Sequence, residues 1–114
     1  MRYPALAALL LTLGTTPGYA NYMDGNELYE DCASANDAYV KQGICLGYLQ
    51  GVVDTLDMVR ESNGVAQCIP AGTRVRQVVD VVLAYLRAHP AERSMEAQVL
   101  VVAAIGDAWS CRVR

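Results

Sequence analysis

The sequence predicts a small all-α protein, a four-helix up-down bundle stapled by two disulfides. Beyond the first twenty residues, apolar side chains recur every three to four positions, which is the period of helices with one buried face. Strand-like alternation is scarce. An even number of cysteines in a short chain that begins like an exported protein indicates a disulfide framework. The four cysteines are Cys32, Cys45, Cys68 and Cys111.

The N-terminal segment has the layout of a cleavable secretory signal peptide. Arg2 gives a minimal positive region, an apolar run covers Ala5 to Leu13, and small residues Gly18 and Ala20 precede the expected cleavage point after Ala20. The apolar run is too short to cross a bilayer, which requires about 20 apolar residues. We therefore predict an exported protein with a single domain, residues 21–114, that is not attached to the membrane after cleavage.

The charge of the predicted mature chain disfavours nucleic-acid binding. Residues 21–114 contain twelve acidic and eight basic residues, a net charge of −4. Nucleic acid requires basic patches for its phosphates, and the basic residues here do not cluster. A domain of this size buries a modest fraction of its surface, so covalent cross-links contribute usefully to its stability.

The first predicted helix covers Glu27 to Ala33, because Asp24 and Glu27 have the spacing of a capping box. The second begins between Ala38 and Gly43 and ends near Glu61, before the helix-terminating sequence Ser62-Asn63-Gly64. Its predicted buried face consists of Cys45, Leu49, Val52, Leu56 and Val59. A second face forms an acidic stripe of Gln50, Asp54, Asp57 and Glu61.

The third predicted helix has Thr73 as its N-cap and runs to about His89, where Pro90 ends it. Its valine-rich apolar set requires burial to stay helical, since valine is a mediocre helix former. Ser94 is placed to cap the fourth helix, which we predict from Met95 to about Trp109. Nearly continuous apolar character marks this helix as the most buried element.

Helix order narrows the three pairings that four cysteines allow. In an up-down bundle with short connections, the end of helix one lies beside the start of helix two, and the end of helix four returns to the start of helix three. This predicts Cys32–Cys45 and Cys68–Cys111. Joining Cys45 to Cys68 would instead span most of helix two, roughly 25 Å at 1.5 Å per residue.

The residue types that carry catalysis or bind metals are poorly placed for either. His89 is the single histidine and lies at a helix C-terminus, where a favourable interaction with the helix dipole is the simpler interpretation. The cysteines lack the close spacing of zinc ligands. Asp54, Asp57 and Glu61 are more typical of a solvated helix face than of an acid–base pair. We predict no catalytic residue, no metal and no cofactor.

Gly43, Gly47 and Gly51 repeat every four residues on one side of the second helix. A glycine inside a helix costs about 1 kcal/mol relative to alanine, so three of them indicate a close approach of another backbone. Two interpretations follow. We favour packing within the monomer, and a dimer interface is the alternative.

The second predicted helix contains the sequence Cys45-Leu46-Gly47-Tyr48-Leu49-Gln50-Gly51-Val52. This stretch resembles the Rap/Tai immunity proteins of bacterial type VI secretion. The resemblance extends from Asn26 to Cys111 and rests on the order and spacing of several short matches. The further matches are Cys68-Ile69-Pro70, Thr73, Gln77, Val78-Val79, Tyr85-Leu86, His89-Pro90, Glu92-Arg93 and Cys111.

The resemblance implies a small, helical periplasmic protein, often a homodimer, that binds a peptidoglycan amidase delivered by neighbouring cells and occludes its Cys-His active site. Such a protein is not an enzyme. For its partner-binding surface we predict the acidic stripe, which would meet a basic partner surface. The alternatives are a small periplasmic acid-stress chaperone and a family member that binds something other than a toxin.

Overall fold

The computed structural model describes residues 22–111, and every regular element in this range is helical. Helix α1 covers Gly25–Cys32, α2 Tyr39–Ser62, α3 Val75–Ala88 and α4 Ala97–Ala108, with a short 3₁₀ helix at Pro90–Glu92. The prediction of an all-α fold with four helices is confirmed. The predicted signal segment, residues 1–20, lies outside the described residues.

The capping box at the start of α1 is confirmed. The Asp24 carboxylate accepts a hydrogen bond from the Glu27 N–H at 2.9 Å, and the Glu27 carboxylate accepts one from the Asp24 N–H at 3.2 Å. The residues beside this cap also pair with the start of α4, because the Ala97 N–H donates to the Met23 carbonyl at 3.1 Å. The N-terminal segment of the described chain is thereby held against the start of α4.

The end of α2 also lies where the sequence predicts it. The helix stops at Ser62, and Gly64 has a φ of 68°, the left-handed conformation that glycine adopts without steric cost. The Gly64 N–H donates to the Glu61 carbonyl at 3.0 Å, which satisfies one of the free carbonyls of the last turn.

The predicted N-cap of α3 is wrong by one residue and that of α4 by two residues. Helix α3 begins at Val75 and its N-cap position is Arg74, whose N–H donates to the Gln77 side chain at 2.9 Å, so Thr73 does not cap it. Helix α4 begins at Ala97 and ends at Ala108, so Ser94 lies in the preceding turn. The Met95 carbonyl accepts from the Gly25 N–H at 3.0 Å, and beside this pairing with the N-terminal segment the backbone of Glu96 is non-helical, with a ψ of 133°.

The core lies where α2, α3 and α4 meet over α1. In residues 22–111, every buried side chain is apolar. The predicted buried face of α2 is largely confirmed, but Val59 is 42% exposed, since the last turns of the helix extend past the core. The largest fully buried side chains are Leu28, Leu49, Leu86, Leu100, Ile105, Val82 and Val101.

Both predicted disulfides are present. Cys32 and Cys45 join α1 to α2 with a Cα–Cα distance of 5.0 Å. Cys68 and Cys111 join the loop before α3 to the end of α4, with a Cα–Cα distance of 5.7 Å. One bridge therefore closes each helical hairpin, which is the arrangement that the up-down order predicts.

Arg93 connects three elements around the 3₁₀ helix. Its guanidinium carbon lies 4.0 Å from the ring centre of Tyr29 on α1, and its Nε donates to the Leu86 carbonyl on α3 at 2.7 Å. The arginine thus satisfies a free carbonyl near the end of α3 while its charge lies over an aromatic face.

Candidate functional site

An apolar groove with a cavity volume of about 680 Å³ runs between α2 and α4. Residues of α2 at helical spacing form its floor, and Val102 of α4 forms part of the opposite wall. Tyr22, at the N-terminal end of the described chain, lies at its edge and is 91% exposed. Among residues 22–111, the groove is lined by Tyr22, Gly47, Tyr48, Gly51, Val52, Thr55, Leu56, Val59, Glu96, Gln98 and Val102.

The glycine face of α2 points outward, so the prediction that it packs within the monomer is wrong. A Cβ atom built on Gly43, Gly47 or Gly51 meets no heavy atom within 4 Å. Gly47 and Gly51 instead leave open space in the floor of the groove, while Gly43 lies beyond it. The periodicity correctly indicated a shared face, but only the packing of the other helices determines which face of α2 is covered.

A chain of polar side chains closes one end of the groove. The Tyr48 hydroxyl donates to Gln98 Oε1 at 3.2 Å, and Gln98 Nε2 donates to Glu96 Oε2 at 2.6 Å. Burial raises the pKa of the Tyr48 phenol, and the Glu96 carboxylate raises it further, against a lowering effect of the Gln98 backbone. Glu96 therefore places a carboxylate on the α4 side of an otherwise apolar groove.

The four residues of the predicted acidic stripe share one side of α2, but they are not equally accessible. Gln50, Asp54 and Glu61 are exposed, whereas Asp57 is half-buried. Asp57 Oδ1 is buried and has no hydrogen-bond partner. Burial raises the pKa of the Asp57 carboxyl, and the Glu61 and Asp54 carboxylates add to this effect against the opposing charge of Arg60. Asp54 and Glu61 are thus the carboxylates of the stripe that a partner can reach.

The acidic stripe and the groove are neighbouring surfaces. Asp54 follows Gly51 by three residues, so one turn of α2 carries the groove floor and, beside it, an exposed carboxylate. Glu96 lines the other side from the start of α4. The sequence carries no signal for Glu96 as a site residue, because Glu96 precedes a different helix and the pairing of positions 24 and 96 brings it here.

His89 and the cysteines are engaged in structural interactions. His89 Nδ1 lies 2.8 Å from the Tyr85 carbonyl, and the His89 and Tyr85 rings stack with their centres 4.1 Å apart. All four cysteines are in disulfides. Residues 22–111 bring together no group of histidine, cysteine and carboxylate side chains that could hold a metal ion. Within the same range, no helix combines the length and apolarity that a membrane span requires.

Comparison with known proteins identifies the family. The family model of the Rap1a immunity proteins matches residues 24–111, nearly all of the described chain. No curated protein and no solved structure matches the sequence. The matched range extends from the capping box of α1 to the last disulfide cysteine, and thus includes the groove and the acidic stripe. The resemblance noted in the sequence is confirmed, and the chain belongs to the Rap1a immunity protein family.

Proposed function

We propose that this protein protects the producing cell by binding a type VI secretion effector, a peptidoglycan amidase, and occluding its active site in the periplasm. The observation that carries the proposal is the match of residues 24–111 to the Rap1a immunity proteins, since this family implies an effector as the protein partner. The two disulfides fit a protein that resides outside the cytoplasm. They support the periplasmic location and export through the N-terminal signal.

The proposed mode of action is binding rather than catalysis. The protein's thiols are bridged, so no thiolate is present to act as a nucleophile. Its single histidine stacks on Tyr85 and lies against a helix carbonyl, an arrangement that serves the end of α3. A rigid helical surface held by two disulfides is suited to binding, because little conformational entropy is lost when a preorganised surface docks.

For the effector contact we propose the acidic stripe. Gln50, Asp54 and Glu61 are exposed along α2, and a basic surface on the effector would complement them. Charges of this kind accelerate association and make it dependent on salt. Asp57, whose Oδ1 is buried, contributes to the local potential more than to direct contact.

A homodimer is a further part of the proposal. Apolar side chains at the start of α2 are strongly exposed, Tyr39 by 79% and Val40 by 77%, and Ile44 on the following turn is 43% exposed. A second copy covering these side chains would remove apolar area from water. Sedimentation equilibrium tests the dimer. A molecular mass twice that of the mature chain, which Val40→Asp reduces to that of the monomer, would support it. A monomeric mass at every protein concentration would overturn it.

Co-purification with the effector tests the central proposal. The probe is the product of an adjacent gene encoding a Cys-His peptidoglycan amidase, expressed with the immunity protein. We expect a stable complex and loss of peptidoglycan cleavage at one equivalent. If the amidase keeps full activity with excess protein, the amidase proposal fails. Suppression of aggregation near pH 2 to 3 without amidase binding would favour the acid-stress chaperone.

A further inference from the structure

We infer that the groove between α2 and α4 is a docking site for an apolar segment of a partner protein that carries lysine or arginine on its flanks. The inference rests on the proposed function in taking the effector as this partner. Beyond the proposed function, it specifies the chemistry of the effector segment that binds and the surface of this protein that receives it, neither of which the family match assigns.

The shape of the groove suits an inserted segment. Its volume of about 680 Å³ falls in the range of specific binding sites. Val52, Val102 and the partly buried ring of Tyr48 supply apolar walls. Gly47 and Gly51 leave the α2 backbone uncovered, so an inserted backbone could approach more closely than side chains on α2 would allow.

The glycines have no function within the described chain that offsets their effect on helix stability. Each interior glycine costs α2 about 1 kcal/mol relative to alanine. A methyl group at Gly47 or Gly51 would contact nothing within 4 Å, so internal packing does not require its absence. A second molecule that packs closely on this face would require glycine at these positions.

The charges around the groove select a cationic partner. Asp54 lies beside the groove floor on α2 and Glu96 lines the α4 side, and none of the lining residues within the described range is basic. The whole chain also carries a net charge of −3. Lysine or arginine on both flanks of an apolar ridge would therefore complement the two edges while the ridge fills the groove.

A second copy of this chain fits the same groove less well. Two copies related by a two-fold axis present the same surface to each other. Docking groove to groove would bring two sets of the same carboxylates, those of Glu96 and Asp54, toward one another. Like charges placed together across an interface are unfavourable, so the groove is better matched to a basic partner than to itself.

Two glycine variants provide a matched test. Gly51→Leu fills the groove, whereas Gly43→Leu adds the same side chain to the glycine face of α2 outside the groove. A Cβ atom at either position meets no heavy atom within 4 Å. The probes are two peptides of about 14 residues with helical periodicity, roughly 21 Å long when helical, one of leucine and lysine and one of leucine and glutamate. Isothermal titration calorimetry measures their affinities, and helical circular dichroism checks that each variant is folded.

The leucine–lysine peptide should bind at least about tenfold more tightly than the leucine–glutamate peptide. Gly51→Leu should weaken this binding by at least about tenfold, as expected for loss of a central contact, while Gly43→Leu should change it by less than about twofold. Glu96→Gln should also weaken it. Amide chemical shifts on peptide addition should change most at Gly47, Gly51 and Val102.

Several results would overturn the inference. Equal affinity for the two peptides removes the charge argument, and an unchanged affinity of Gly51→Leu places the peptide elsewhere. Self-association that Gly51→Leu abolishes would assign the groove to a second copy. If Gly51→Leu inhibits the amidase as well as the wild type does, the groove inference fails and the proposed function stands. If the lysine peptide binds the groove but no amidase is inhibited, the proposed function fails alone.

Discussion

The backbone of Gly25 lies directly against that of Arg93. A Cβ atom on Gly25 would be 2.8 Å from the Arg93 carbonyl oxygen, closer than real Cβ atoms approach other atoms, and Leu100 lies against the same position. The Asn26 N–H donates to that same carbonyl at 2.9 Å. The first turn of α1 can therefore pack on the segment before α4 only without a side chain at position 25.

We expect Gly25→Ala to lower the free energy of unfolding by about 1–3 kcal/mol, since overpacking against backbone atoms has no easy relief. Urea denaturation followed by circular dichroism measures the change. Gly43→Ala is the matched control, and its open surroundings should let the alanine raise the stability by up to ~1 kcal/mol. A tolerated Gly25→Ala would show that the close approach to Arg93 can relax.

The two disulfides should contribute unequally to stability. The Cys68–Cys111 bridge spans 43 positions and the Cys32–Cys45 bridge 13. On the chain-entropy model, each bridge lowers the entropy of the unfolded chain, and this raises the free energy of unfolding by about 4 kcal/mol for Cys68–Cys111 and about 3 kcal/mol for Cys32–Cys45. Replacing each pair with alanine and comparing denaturation midpoints checks the order. Greater destabilisation by loss of Cys32–Cys45 would mean that native packing outweighs loop length.

Asp57→Asn should stabilise the protein at pH 7. The pKa of this carboxyl is raised in the folded state, so its charged form is less favourable there than in the unfolded chain. Its contribution is therefore most favourable below the unfolded pKa of about 3.9 and is lost as the pH rises through the folded pKa.

Loss of the like-charge repulsion between Asp57 and its neighbours Asp54 and Glu61 should alone raise the free energy of unfolding by ~0.5 kcal/mol at pH 7. The gain should shrink as the pH falls below about 4, where the wild-type carboxyl is protonated in both states. Asp80→Asn, at an exposed position on α3, serves as the control and should change stability by less than about 0.5 kcal/mol. A gain that is independent of pH would contradict the electrostatic explanation.

Arg93→Ala should destabilise the fold by about 1–3 kcal/mol, because it removes both the stacking on Tyr29 and the hydrogen bond to the Leu86 carbonyl. Thermal unfolding at fixed pH measures the effect. Arg93→Lys keeps the charge but lacks the planar guanidinium, so it should restore only part of the loss. Arg87→Ala, at an exposed position on α3, is the control for loss of a positive charge.

Local signals in the sequence determined the helical elements and their covalent cross-links. Asp24 and Glu27 form the predicted capping box, and Gly64 ends α2 where expected. The pairing of cysteines follows from helix order, since adjacent helix ends in an up-down bundle lie together. These features depend on residues close in sequence or on the order of elements, and both can be inferred from the chain alone.

The starts of α3 and α4 were less predictable. Thr73 and Ser94 are residue types that favour N-caps, but a local preference of about 1 kcal/mol is readily overridden by contacts made elsewhere. The bond from the Gly25 N–H to the Met95 carbonyl is such a contact, because it joins segments about 70 residues apart in sequence. It also brings Glu96 to the edge of the groove.

The periodicity of α2 showed by itself that the chain forms this helix with an apolar face, an acidic stripe and a glycine face. Only the tertiary structure decided that the glycine face is open and that α4 supplies the other wall of a groove. Periodicity specifies which residues share a side of a helix, whereas the direction of each side depends on how distant helices pack. For the same reason no periodic pattern marks Gly25, although the packing of α1 on the segment before α4 requires a glycine at this position.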